Sequence, residues 1–307
     1  MNNIFVTGGS GFLGGHLVKK LKSNKMNFVI APNSGDCNLV VTNSLNRFEK
    51  KFDYIYHLAA WTQAGDFCLH FPGDQWIINQ QINTNVLQWW KEYQPTAKLI
   101  FMGTSCSYSN NYPLIENNYL KGEPIDSLYT YAMTKRMLLI GAESLRKQFN
   151  MKYLCVVPST LYGPCYHDDG RQMHFIFDLV RKIYNASNGG EAPKLWGDGY
   201  QSREIIHVDD FICALLDVTD KLSNEIINIG AGEAYTIRNF ADMIATICSY
   251  NKAKIIYDTH KYVGAKNKCL NIDKLRSMHT EFKIKNLKEG LKEIIEWYAS
   301  TTSYKNQ

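Results

Sequence analysis

The sequence predicts an α/β fold, a doubly wound parallel sheet flanked by helices and extended by a smaller C-terminal α/β domain. Two observations carry this. Short apolar runs alternate, through the first half of the chain, with segments whose apolar residues recur at helical spacing. A glycine-rich turn separates the first such run from the first helical segment, a junction at which open parallel sheets bind ligands.

The elements follow in order. Residues 3–7 are a β-rich run that ends in glycines, and Phe12, Leu13, His16, Leu17 and Leu21 then share one helical face. Residues 28–31 read as a second strand. Residues 53–60 and 98–102 read as further strands, apolar enough to be buried on both faces. Residues 131–149 are helical in pattern, and 153–158 form another strand. After Leu161 the order breaks down. Gly, Pro and Asp rise between residues 163 and 198, as in a loop-rich insertion. Residues 226–229 read as a returning strand, and the chain ends in a helix with Leu287, Leu291, Ile294, Ile295 and Tyr298 on one stripe. The expected division is a dinucleotide-binding domain over 1–160, joined by about 205–230, and a second domain over 161–204 and 231–307.

Composition narrows the class. The 307 residues are 45% hydrophobic and 21% charged, which suits a globular enzyme and excludes disorder, collagen-like repeats and coiled coil. No apolar run approaches the roughly 20 residues of a membrane helix. The start, Met-Asn-Asn, lacks the basic and apolar stretches of a signal peptide. Cys37, Cys68, Cys106, Cys155, Cys165, Cys213, Cys248 and Cys269 show neither CxxC nor zinc-finger spacing. Reduced thiols in a cytoplasmic protein are therefore expected, and no metal site is. A net charge of +5 is too mild for a dedicated nucleic-acid binder. The excess is uneven: residues 251–288 hold ten Lys or Arg against three Asp or Glu, either a solvated basic face or a site for an anionic ligand.

Thr7-Gly8-Gly9-Ser10-Gly11-Phe12-Leu13-Gly14 follows the first strand and opens the first helix. Gly8 suits a tight turn, Gly11 a close approach of backbone to pyrophosphate, and Gly14 close helix packing. The helix N-terminus then attracts the anion. This is a Rossmann dinucleotide-binding signature. NAD is commonly selected by an acidic residue after the second strand, and NADP by a basic one. Here Val29-Ile30-Ala31-Pro32-Asn33-Ser34 offers neither, and Ser10 is neutral. NAD(H) is therefore favoured and NADP(H) stays open. Asp36 lies near the ribose position, and Asn38 and Leu39 near that of the adenine, though an ordinary loop explains each equally well.

Tyr131 and Lys135 form a YxxxK pair, and i and i+4 share one helix face. The lysine charge is expected to draw the phenol down from about 10, which suits an acid or base for an alcohol–ketone pair. Thr104, directly after a buried strand, is placed to hydrogen-bond a substrate oxygen beside Tyr131.

These motifs, with His57-Leu58-Ala59-Ala60, Gly103-Thr104-Ser105, residues 158–164 (Pro-Ser-Thr-Leu-Tyr-Gly-Pro), Trp196-Gly197-Asp198-Gly199, residues 203–210 (Arg-Glu-Ile-Ile-His-Val-Asp-Asp) and Asn228-Ile229-Gly230, stand in one order. In that order the chain resembles the extended short-chain dehydrogenase/reductases, the nucleotide-sugar epimerases and dehydratases, over nearly its whole length. It is most similar to the branch that makes GDP-fucose, in which a 4-keto sugar is epimerised at C3 and C5 and then reduced at C4.

The resemblance implies a nucleotide-diphospho-sugar substrate, GDP-linked by preference, and hydride transfer at C4. It implies Tyr131 as acid/base, Lys135 holding the nicotinamide ribose, and Cys106 and His174 as the epimerising pair. Leu58, Ala59, Ala60 and Pro158 are implied beside the cofactor. Ser105, Thr160, Trp196, Arg203 and Lys268 are implied beside the substrate, the last two at its diphosphate. A homodimer through the helix carrying Tyr131 is implied as well. The chain departs from the branch in four ways: Thr104 replaces a serine, Thr160 replaces an asparagine, the basic residues that fix NADP there are missing, and residues 61–74 are unlike the branch's. Epimerisation thus stays open. The alternatives are a pure C4 dehydrogenase or 4-epimerase of a GDP- or UDP-linked hexose or heptose and, more remotely, a non-catalytic nucleotide sensor.

Overall fold

The structure, a computed structural model, describes residues 2–261, 265–278 and 283–305. In chain order, β1 (Asn2–Thr7), α1 (Phe12–Ser23), β2 (Asn27–Ile30), β3 (Tyr54–His57), α2 (Phe67–His70), α3 (Pro72–Tyr93), β4 (Lys98–Met102), α4 (Tyr129–Phe149) and β5 (Tyr153–Pro158) fill the first half. Then come β6 (Thr160–Tyr162), α5 (Phe175–Ser187), β7 (Lys194–Trp196), β8 (Ser202–His207), α6 (Val208–Lys221) and β9 (Glu225–Ile229). The chain closes with β10 (Ala234–Thr236), α7 (Ile237–Ile247), β11 (Ile256–Asp258), β12 (Asn267–Lys268), α8 (Asp273–Met278) and α9 (Leu287–Lys305).

Six strands form one sheet in the order β2-β1-β3-β4-β5-β9, and every pairing is parallel. Thr7 pairs with His57, His57 with Phe101 and Met102 with Val156, so the C-terminal ends of the central strands lie level. That edge is where an open parallel sheet offers its binding crevice. The sheet is buried on both faces: Phe5, Ile55, Ile100, Val156 and Ile227 pack with Leu17, Trp89, Trp90, Leu138 and Phe211 from the helices. Each such side chain contributes on the order of 1.5–3 kcal/mol by leaving water.

A second cluster joins Ile176, Ile183, Ile205, Phe240, Ile244, Leu291 and Ile294. Around it β6, β8, β10 and β12 form a small mixed sheet, with β7 and β11 pairing separately. α7 starts on a capping box in which Thr236 and Asn239 satisfy each other's backbone. The clusters do not follow one cut in the chain. Leu270, Ile272 and Leu275 come late in sequence yet pack in the first cluster.

Three elements differ from the sequence reading. The segment expected to be loop-rich holds α5, whose Ile176, Leu179, Val180 and Ile183 recur at helical spacing and are buried. The third strand stops at His57, because Leu58 and Ala59 turn their amides to the Thr7 hydroxyl, each at 3.2 Å. The 22-residue α3 begins on Pro72, a first-turn position that suits proline. Among the described residues no helix is long and apolar enough to cross a membrane.

Candidate active site

The glycine turn is shaped for a ligand's backbone-scale approach. Gly8 has φ +69°, and a Cβ there would lie 2.7 Å from the Ala59 nitrogen. A Cβ on Gly14 would lie 2.0 Å from the Gly8 carbonyl oxygen. Gly11 caps α1 with no side chain, and its amide donates to the Gly8 carbonyl at 3.0 Å. The first-turn amides of α1, under Phe12 and Leu13, are thus open to an anion, and the residues fit a dinucleotide pyrophosphate. Leu58, Ala59 and Ala60 flank the turn. Leu58 and Ala59 are held by Thr7, whose hydroxyl also lies 2.8 Å from His57 Nδ1. His57 Nε2 lies 3.2 Å from Asn83 Oδ1, and burial, with the nearby Lys135 charge, pulls the imidazole down to about 4. Beyond β2, Asn33 Oδ1 accepts the amides of Gly35 and Asp36. Asn38 is exposed, and Asn85 holds the Leu39 carbonyl at 2.8 Å.

Tyr131 and Lys135 lie one turn apart near the start of α4, with Lys135 Nζ 5.9 Å from the phenol ring centroid. The expectation that this lysine draws the phenol down is corrected. Burial raises the Tyr131 hydroxyl, neighbouring Cys106 adds to that, and a hydrogen bond with Thr104 only partly opposes it. Burial also pulls Lys135 down to about 8. The phenol is therefore held as a proton donor. Thr104 is itself fixed: its amide donates to the Tyr119 hydroxyl at 3.2 Å, and its Oγ1 accepts the Cys106 amide at 3.2 Å, capping a 3-10 turn over Ser105–Ser107. Pro158 closes β5, and Thr160 opens β6 two residues on.

Cys106 faces Lys268. The Lys268 ammonium donates to the Cys106 sulfur at 3.0 Å. Burial works against ionisation of the thiol, but Lys268, Thr104 and Arg203 outweigh it and the pKa falls. Arg203 and Lys268 are register partners on β8 and β12, and Arg203 Nη1 is anchored on the carbonyls of Ser202 and Ala265 at 2.8 and 2.7 Å. His174 caps α5. Its ring is reached by solvent yet ringed by protein. That desolvation, with the charges of Lys268 and His167, lowers it to about 4. The structure thus gathers Thr104, Cys106, Tyr131, Arg203, His174 and Lys268 into one charge-coupled group. Trp196 ends β7, 44% exposed, with the Lys261 ammonium 5.9 Å from its ring centroid.

Some neighbours carried no signal in the sequence. Cys68, on α2, is close enough for its charge to act on Tyr131 and for that of Cys106 to act on it. The irregular segment after β3 reaches across to residues 165–174: Gln172 donates its side-chain amide to Asp66 and its backbone amide to Gln63 Oε1, the latter at 3.4 Å. In the same segment Phe67 meets Trp61 edge-to-face at 4.8 Å and Phe71 in a tilted contact at 5.0 Å. Tyr166 stacks on Phe177 at 3.8 Å, meets Phe12 of the glycine turn at 5.2 Å, and accepts the His174 amide. No local pattern links residues so far apart in the chain.

Residues 4–230 match the model of the "NAD dependent epimerase/dehydratase family". The chain is 29% identical over 313 residues to "Putative GDP-L-fucose synthase 2" of Arabidopsis thaliana, covering 99% of this chain and 94% of that protein. In fold it is similar to a GDP-L-fucose synthetase from Naegleria fowleri bound to NADP, with TM-score 0.85, 22% identity, and 98% and 95% of the two chains covered. It is similar as well to a GDP-6-OMe-4-keto-L-xylo-heptose reductase from C. jejuni, with TM-score 0.87, 22% identity and 98% of each chain covered. The family model spans well over half of the 307 residues, and the chain belongs to the NAD dependent epimerase/dehydratase family.

Proposed function

We propose that the protein is an NAD(P)-dependent oxidoreductase of a GDP-linked sugar, with redox at C4 coupled to proton exchange at C3 and C5. The observation that supports it is the convergence of Tyr131, Thr104, Cys106, His174, Arg203 and Lys268 into one interacting group. Gly8, Gly11, Phe12, Leu13 and Gly14 hold the pyrophosphate of the dinucleotide. Asn38 and Leu39 border its adenine, Leu58, Ala59, Ala60 and Pro158 line its path, and Lys135 holds its ribose. Bound there, a nicotinamide supplies or accepts the hydride.

The chain's own groups do the rest. Tyr131, a protonated phenol, donates to the C4 oxygen, and Thr104 fixes that oxygen by a hydrogen bond. Ser105, Thr160 and Trp196 contact the sugar nucleotide, and Arg203 and Lys268 meet its diphosphate. A C4 ketone acidifies the hydrogens at C3 and C5. Cys106 accepts one as thiolate, and His174, neutral at physiological pH, serves the other face. NAD(H) is the favoured dinucleotide, because residues 31–36 and Ser10 place no cation for a 2′-phosphate.

A homodimer fits the exposed apolar residues Trp76 and Ile77 on α3 and Met137 and Ile140 on α4. Eight unpaired cysteines fit the reducing cytoplasm. The two packed clusters suggest a dinucleotide unit built on the six-stranded sheet and a sugar-nucleotide unit built on the small one.

Incubation with a GDP-4-keto-6-deoxy sugar in deuterated water tests the coupled chemistry. Deuterium at C3 or C5, sharply reduced in Cys106→Ser, is expected, since a serine hydroxyl is far less acidic than a thiol. No deuterium with the wild type contradicts epimerisation and leaves redox at C4 alone.

A further inference from the structure

Lys268 and Cys106 are each held in place before any substrate arrives. The Cys106 amide is tied to Thr104 Oγ1 at 3.2 Å inside the short 3-10 turn. Lys268 sits on the two-residue β12, opposite Arg203. Just beyond it, the Leu270 amide donates to the Glu204 carboxylate at 2.8 Å, and the same carboxylate takes the Gly232 amide at 2.6 Å. Glu204 is buried at 3% exposure, and its carboxylate is spent on backbone amides. It therefore clamps the strand that delivers the lysine. Before any diphosphate arrives, the Lys268 ammonium is aimed at a sulfur 3.0 Å away. So short an N–S contact suits a charge-assisted pair better than two neutral groups.

We infer that Lys268 is a positioning residue for Cys106, holding its sulfur as a thiolate by direct ion pairing so that it meets the sugar ready to accept a proton. This rests on the reading of Cys106 as a residue that faces the sugar. The step is an acid ionisation: the S–H bond of Cys106 breaks, its proton passes to solvent water, the electron pair stays on sulfur, and the lysine keeps its own protons. The groups that face the sulfur come from four elements. Lys268 on β12 and Arg203 on β8 favour the anion, while Tyr131 on α4 and Cys68 on α2 are neutral acids that ionise only at alkaline pH. His174, which also feels the Lys268 charge, is held neutral and does not compete as a cation.

The test is the pH profile of alkylation by iodoacetamide, read peptide by peptide by mass spectrometry in the full-length protein. Cys165 is exposed and serves as an internal reference thiol. The Cys106 midpoint is expected at least about one pH unit below that of Cys165. Lys268→Met is expected to raise that midpoint by about one unit or more, slowing alkylation of Cys106 about 10-fold at neutral pH. Lys268→Arg should keep it low. A Cys106 midpoint at or above that of Cys165 in the wild type overturns the inference, and this holds even if Lys268→Met fails to fold. An unmoved midpoint in folded Lys268→Met overturns it as well. The readout uses no substrate, so failure of the deuterium experiment with a depressed Cys106 midpoint would count against the epimerase reading and not against the ion pair.

Discussion

Lys135 Nζ lies 5.9 Å from the ring centroid of Tyr131, on one face of α4, and burial changes both residues. The phenol is held protonated and the lysine is lowered to about 8. Tyr131→Phe should therefore remove a proton donor without emptying the site. Turnover should fall by roughly 10²–10⁴-fold, with dinucleotide affinity nearly unchanged. Because Lys135 loses its charge as pH rises through about 8, kcat/KM should decline on that alkaline limb. Lys135→Met should abolish the limb. A wild-type profile that stays flat across it would count against a charged Lys135 in the free enzyme.

His57 sets a pH dependence of stability. Its folded value is about 4, against an ordinary 6.5, so the unfolded chain binds more protons between those two values. Stability is thus complete above pH 6.5 and is lost as pH falls from 6.5 towards about 4, by about 3 kcal/mol at the acid end. Urea denaturation across that window should show a shallower loss in His57→Gln. His174 shares the shift, so the slope should shrink rather than vanish. An identical slope in the variant would exclude His57 as the source.

The glycine turn allows a paired test. Gly14→Ala places a Cβ 2.0 Å from the Gly8 carbonyl, which cannot be relieved without reshaping the turn. The Cβ of Gly15→Ala would find only the Gly9 carbonyl, at 3.9 Å. Dinucleotide affinity measured by calorimetry should drop more than about 10-fold in the first variant, a loss above about 1.4 kcal/mol, and stay close to wild type in the second. Equal affinities would mean that the turn does not carry the pyrophosphate.

The parallel sheet was legible because its strands are short apolar runs, and β4 and β5 begin and end where the sequence places them. The glycine turn and the YxxxK pair were legible because local spacing alone defines them. α5 was obscured by the Gly, Pro and Asp on either side, although Ile176, Leu179, Val180 and Ile183 keep helical spacing. The direction of the Tyr131 shift depends on how much protein surrounds the phenol, which a pattern of residues does not reveal. The contact of Lys268 with Cys106 and that of Gln172 with Asp66 join residues more than a hundred positions apart and depend on how distant parts of the chain come together.

The proposed cofactor preference rests on the loop after β2 and on Ser10. With no Arg or Lys at residues 31–36 or at Ser10, those two segments offer a 2′-phosphate no charged partner. NAD(H) should bind at least as tightly as NADP(H), and Asn33→Arg should shift the ratio towards NADP(H) by about 10-fold. Fluorescence titration of both reduced dinucleotides checks this. A clear wild-type preference for NADPH would contradict it.

The central claim, C4 redox on a GDP-linked sugar with Tyr131 as the acid, is tested most directly by one assay. Purified protein is mixed with a GDP-4-keto-6-deoxy sugar and C4-deuterated reduced nicotinamide dinucleotide. The product is then analysed by mass spectrometry and NMR for label at C4. The account predicts a GDP-sugar with deuterium at C4, formed by the wild type and reduced roughly 10²–10⁴-fold in Tyr131→Phe. Absence of C4 label from the wild type with both NADH and NADPH, or equal labelling by Tyr131→Phe, would contradict it.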